Sequence, residues 1–195
     1  MAIKALNTYY NGFYFRSRLE ARWAVFFDAC NVKWEYEQQG YDLGDGVWYL
    51  PDFLLHDVTF NHASYSRGND LYVEVKGNMT ESDANKILKF AEEKPILVVG
   101  DIPRGEFGQA LVDDMTDAGY YAQHGVSLFN FETIDDDYFG AYPGIDLDGE
   151  FEIFGQDSSY LCSMDDKATV NAYRRARVAR FNGGKKIIKE MGLVE

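Results

Sequence analysis

Four side chains in the first 76 residues have the types and spacing that phosphate chemistry uses. Glu74 and Lys76 stand two apart in the run LYVEVKG (71–77), so on a β-strand, where side chains alternate, they share one face. Asp52 follows a proline in YLPDFLL (49–55), and pairing of the two strands brings it beside Glu74. Two adjacent carboxylates can share a hard divalent cation, and magnesium asks for one or two such groups plus water and substrate phosphate. Lys76 then stands where an ammonium orients a nucleophilic water and balances transition-state charge. Glu20 is a further acid, either an outer ligand or one acting through water. The implied cofactor is Mg²⁺, with Mn²⁺ as a substitute. The plain alternative is a solvent-facing Glu74/Lys76 pair with a turn aspartate, and for Glu20 an i,i+4 partnership with Arg16.

These residues need elements to position them. In RSRLEARWAVFFDAC (16–30), Leu19, Trp23, Phe26, Phe27 and Cys30 fall on one stripe of an amphipathic helix, with Glu20 on its rim and Arg18 and Arg22 beyond. VKWEYEQQGYDL and VWYLPDFLL flank Gly44-Asp45-Gly46 and predict a β-hairpin, with Pro51 at an edge or bulge. Glu35 and Glu37 alternate with Trp34 and Tyr36 as in an ordinary amphipathic strand. The polar run 56–70 predicts a loop or wide connection into LYVEVKG, the third strand, whose Val73 and Val75 turn towards the helices. TESDANKILKFAEE (80–93) is a helix with Thr80 and Asp83 at capping-box spacing, and ILVVG (96–100) is a buried strand parallel to the third. The expected fold is α/β: an αβββαβ core with a mixed central sheet flanked by helices.

Beyond Asp101 the pattern is looser. GEFGQALVDDMTDAG suggests a helix and YYAQHGVSLFNFETI further strands, while 135–160 is either a long surface insertion or a small hairpin. A last helix is expected from about Met164 to Phe181, capped by Ser163 and broken at Gly183-Gly184. The division is a core over 1–103 and an acidic elaboration with a basic terminal helix over 104–195, packed on the same domain.

The net charge of −13 opposes a polyanionic partner, but its distribution is uneven. Residues 101–166 hold 16 acidic side chains against one basic, Arg104, whereas 167–189 hold eight basic and none acidic. Arg174, Arg175, Arg177 and Arg180 do not share one helical face, which suits diffuse phosphate contact or pairing with the acidic middle. Arg16, Arg18 and Arg22 lie nearer the predicted site as phosphate contacts. Cys30 and Cys162 lack metal or disulfide spacing, and His56, His62 and His124 are expected in loops or at strand ends. With no long apolar run and no signal-like N-terminus, the expectation is a cytoplasmic protein without a membrane partner.

Pro51-Asp52, a gap, and Glu74-Val75-Lys76 together resemble the PD-(D/E)xK, or restriction-endonuclease-like, nuclease superfamily. FRSRLEARWAVFFD, WEYE, YLPDFLL and VEVKG are similar to its phage- and prophage-encoded branch, over roughly residues 13–103. The resemblance implies a Mg²⁺-dependent deoxyribonuclease, acting in a host bacterial cytoplasm if phage-encoded. It further implies Asp52, Glu74 and the Val75 backbone carbonyl as metal ligands, Lys76 as the catalytic lysine and Glu20 as the helix-borne acid. The substrate would be DNA. The alternative is a catalytically silent acidic protein that mimics DNA or binds a host or phage protein through residues 101–166; a structure-selective resolvase or homing enzyme would use the same ions.

Overall fold

The structure, a computed structural model, describes residues 7–61, 69–103, 121–122, 126–129, 141–155 and 164–181. It opens with a ribbon of β1 (Thr8–Tyr10) and β2 (Phe13–Phe15), joined by Asn11 and Gly12, both at positive φ as a tight two-residue hairpin turn requires. Ser17 then caps helix α1 (Arg18–Ala29), its hydroxyl accepting from the Glu20 N–H.

Next come β3 (Trp34–Tyr36), the short hairpin β4 (Tyr41–Asp42) and β5 (Trp48–Tyr49), and two long strands, β6 (Phe53–Asn61) and β7 (Asn69–Val75). Helix α2 (Glu81–Ala91) starts at a complete Thr80/Asp83 capping box and returns the chain to β8 (Ile96–Val99), parallel to β7. Strands β9 (Tyr121–Ala122), β10 (Val126–Phe129), β11 (Ala141–Ile145) and β12 (Phe151–Gly155) precede helix α3 (Asp166–Val178).

The main sheet is mixed, in the order β11-β12-β6-β7-β8-β10-β9. The β6–β7 pair is antiparallel, whereas β7–β8, β8–β10 and β6–β12 are parallel. β6 shares one edge between two partners: Phe53–Leu55 pair with β3 and Thr59–Asn61 with β12. Between them the register shifts, and Asp57 takes a positive φ of 56°, a bulge that re-aims the strand.

The sheet is covered on both faces, which is why β8 can be apolar throughout. Leu97 and Val99 join Leu71, Val73, Phe53 and the α1 stripe in one core, and Ile96 and Val98 join Ile87, Phe90 and Tyr49 in the other. Trp23, Phe26 and Phe27 are fully buried, each contributing on the order of 1.5–3 kcal/mol. α3 seals the first core: the Tyr173 ring stacks on Phe26 at 4.3 Å, and its hydroxyl donates to the Pro143 carbonyl.

The structure corrects two expectations and decides a third between its two options. The polar run from residue 56 does not leave the sheet at once: β6 continues to Asn61, and His56 sits within it, its ring nitrogens 2.8 Å from Glu35 Oε1 and 2.9 Å from Asp70 Oδ1. Of the two options for 135–160, the described residues form the hairpin β11–β12, which joins the main sheet. The last helix starts at Asp166 with Asp165, not Ser163, as its cap, because the Asp165 N–H is already bonded to the Ile145 carbonyl and ties the chain upstream to β11. Met164 bridges Asp146 and is buried, and the helix ends at Val178, short of Phe181. The helix suggested within 105–119, Ser163 and the Gly183-Gly184 break lie outside the described residues.

Candidate active site

Strand register does the main positioning. Phe53 pairs with Val73 in the antiparallel β6–β7 ladder, so Asp52 falls opposite Glu74. With Val73 and Val75 committed to the α1 core, alternation turns Glu74 to the α2 side. Glu20 arrives from the first turn of α1. All three carboxylates are buried, Asp52 at 3 %, Glu74 at 4 % and Glu20 at 6 % exposure, a placement acidic side chains tolerate only when hydrogen bonds or cations hold them.

Each is held by a different partner. Asp52 Oδ1 accepts from the Arg16 guanidinium at 2.7 Å and Oδ2 from the Val75 N–H at 2.7 Å. Glu74 Oε2 accepts from the Tyr49 hydroxyl at 2.8 Å, and Oε1 lies 2.8 Å from Lys76 Nζ. Glu20 Oε2 accepts from the Tyr36 hydroxyl at 2.6 Å and the Arg16 N–H at 2.9 Å. Lys76 also reaches Asp83, the capping acid of α2, at 3.2 Å, and its own N–H donates to the Val99 carbonyl. Glu20 and Arg16 do meet, but through the Arg16 backbone; its side chain goes to Asp52 and to Glu37, whose Oε1 lies 2.6 Å from Nε. Glu37 leaves β3 in the left-handed region at φ 46°, its N–H bonded to the Asp52 carbonyl, an unusual conformation for a glutamate and one that recurs at functional sites.

These groups open into one cleft of about 400 Å³, lined by Glu20, Asp52, Glu74, Val75 and Lys76 together with Arg16, Trp48, Tyr49, Asp83 and Lys86. Its electrostatics are those of crowded acids. Burial, then the charges of Glu74 and Glu20, push the Asp52 carboxyl well above its ordinary range, against the pull of the Val75 N–H and Arg16. Burial works against the Lys76 ammonium, but Glu74 and Asp83 outweigh it and raise its pKa, so Lys76 stays charged at neutral pH. Burial and Glu74 together raise Tyr49, and burial and Glu20 raise Tyr36, so both hydroxyls remain protonated donors.

The chemistry of the donor set suits a hard divalent cation. Asp52 and Glu74 face one cleft, and their mutual repulsion is relieved by positive charge. Among the described residues no group of three or more histidine, cysteine or acidic side chains is disposed to hold a metal ion. A carboxylate pair completed by substrate and water is the arrangement magnesium uses.

The predicted arginines separate. Arg16 lines the cleft, but Arg18 and Arg22 do not. Arg177 donates to the Pro103 carbonyl at 3.0 Å, while Arg174, Arg175 and Arg180 are exposed on or just beyond α3; none of the four lines the cleft. Sequence reading missed Tyr36, Tyr49 and the cleft role of Asp83. A signal existed: Tyr36 sits in the same WEYE segment as Glu35 and Glu37, and Tyr49 is the inward residue just before Pro51-Asp52.

Compared with known protein families, curated proteins and solved structures, the chain matches none. No helix among the described residues is long and apolar enough to cross a membrane.

Proposed function

We propose that this cleft is the active site of a Mg²⁺-dependent nuclease of the PD-(D/E)xK type, hydrolysing phosphodiester bonds in DNA. The observation that carries the reading is the convergence of three buried carboxylates, Glu20, Asp52 and Glu74, with an ammonium held 2.8 Å from Glu74 in an open cleft. Burying acids at adjacent strand positions has no stabilising purpose of its own, because each pays desolvation and repels the others.

In this reading Asp52 and Glu74 hold the ion, with the Val75 carbonyl as a further oxygen, and Glu20 acts from α1. A bound Mg²⁺ supplies Lewis-acid activation of water and of a phosphoryl oxygen. The protein's own groups do the rest. Lys76, kept protonated by Glu74 and Asp83, presents positive charge to the phosphoryl oxygens as they gain charge. Tyr49 and Tyr36 fix the Glu74 and Glu20 carboxylates, and Arg16 balances Asp52 at the rim, where its half-exposed guanidinium can also meet phosphate.

The test is incubation of the protein with plasmid and single-stranded DNA in Mg²⁺, Mn²⁺ or EDTA, beside Asp52→Ala and Lys76→Ala. Metal-dependent cleavage lost in both variants is the expected result. Cleavage that persists in EDTA or in Asp52→Ala sinks the assigned site, and no cleavage of any substrate favours the acidic interaction protein.

A further inference from the structure

We infer that Trp48 is a stacking platform for an unpaired nucleobase, so that the substrate is single-stranded or locally unpaired nucleic acid rather than intact duplex. The inference rests on the nuclease reading of the same cleft and names its substrate class. Five large apolar side chains are exposed among the described residues, Phe13, Trp48, Leu88, Leu147 and Val178, and of these only Trp48 lines the cleft. It is 65 % exposed at the cleft itself, so its indole is open to a ligand that enters there.

The hairpin that carries Trp48 is tied at its turn and packed from below. Leu43 and Val47 close its turn through Leu43 N–H to Val47 C=O, and Gly44, Asp45 and Gly46 all take positive φ. Below it, the Tyr41 and Tyr49 rings each lie 5.1 Å from Phe90, and the Tyr41 and Tyr72 hydroxyls meet at 2.6 Å. Alternation along β5 sends Tyr49 inward to Glu74 and leaves Trp48 outward, so the indole stands one residue, about 3.3 Å of strand, from the group that holds a proposed metal ligand. Lys86 lines the same cleft from α2 and supplies a cation for the phosphates of a strand passing between them.

An aromatic surface beside a cation and a hydrolytic site is the arrangement by which proteins take single strands, since every base offers a π-face and stacking tolerates any sequence. In a duplex both faces of each base are already covered, and exposing one requires unstacking. Protein side chains could also cover an indole, but Arg16, Lys76 and Lys86 line the same cleft, and with a divalent cation offsetting its acids they favour a ligand that is apolar on its faces and anionic along its backbone.

The experiment measures binding of labelled oligothymidine of about 15 nucleotides, the matching blunt duplex, and an abasic strand of equal length, by fluorescence anisotropy with Ca²⁺ replacing Mg²⁺. Full-length wild type, Trp48→Ala and Trp48→Phe are compared; the exposed position makes unfolding by either substitution unexpected, and circular dichroism checks it. Oligothymidine should bind at least about tenfold more tightly than duplex. Trp48→Ala should weaken it by about 5–100-fold, with Trp48→Phe close to wild type and the abasic strand indifferent to the substitution. Equal binding by Trp48→Ala and wild type, a preference for duplex, or no binding at all overturns the inference. Asp52-dependent cleavage combined with Trp48-independent binding overturns the platform and leaves the nuclease standing. Trp48-dependent binding without any Asp52-dependent cleavage supports the platform and removes the nuclease.

Discussion

Tyr49→Phe isolates one hydrogen bond at the proposed site. The substitution removes a hydroxyl that donates to buried Glu74 at 2.8 Å and leaves the ring on Phe90 in place. Hydrogen bonds to a charged acceptor contribute roughly 1.5–3 kcal/mol, and Glu74 keeps only Lys76 in exchange. In a chain of this length each kcal/mol moves Tm by about 2–4 °C, so the Tm in EDTA, followed by near-ultraviolet circular dichroism, should fall by about 3–12 °C. With Glu74 in its proposed role as a metal ligand, cleavage should drop by about 10–100-fold, because the Glu74 carboxylate gains a rotational freedom it now lacks. A Glu74→Ala background supplies the control: there the hydroxyl has no acceptor, and Tyr49→Phe should become nearly neutral. A Tm within about 1 °C of wild type, or an equal loss in the Glu74→Ala background, refutes the assigned role.

Two further outcomes follow from the same geometry. Arg16→Met removes the cation that pairs with Asp52 Oδ1 at 2.7 Å and competes with a metal ion for that carboxylate, so Mn²⁺ affinity measured by titration calorimetry should rise about tenfold or more; unchanged or weaker binding refutes it. For His56, the hydrogen bond it donates to Asp70, then the one it donates to Glu35, raises the imidazole pKa against the opposing effect of burial. A raised histidine stabilises the fold fully below its unfolded pKa of about 6.5 and loses that contribution as pH rises through the folded value. Chemical denaturation should therefore show wild type losing, between mildly acidic and alkaline pH, an increment of stability that His56→Gln does not lose.

How much of this was legible depended on whether a feature is local. The α1 stripe, the Thr80/Asp83 capping box and the β7–α2–β8 return are written in adjacent residues, and the structure contains each of them. The approach of Asp52 to Glu74 followed from period-two alternation once the strands were taken to pair. Partner choice was not legible. Nothing within α1 announces that Tyr36 closes on Glu20, or that Arg16 turns to Asp52 through its side chain and to Glu20 through its backbone. The Asn11-Gly12 turn was a readable hairpin signal that went unused. The β11–β12 hairpin was obscured by acidic surroundings, because charge at its turn hides Ile145, Phe151 and Ile153, which enter the main core.

The divided edge of β6 also governs the order in which the protein can assemble. Phe53–Leu55 find β3 as soon as they are made, but Thr59 must wait for Glu152, about 90 residues further along, which at ribosomal speed is roughly 5–20 s. During that interval the outer half of the strand presents unpaired N–H and C=O groups, and the α1 aromatics that Tyr173 later covers lie open. A nascent chain halted near residue 103 would thus hold all the proposed catalytic side chains and still offer a sticky edge to its neighbours. Transplanting the first half alone into another protein would require a substitute for that late-arriving strand.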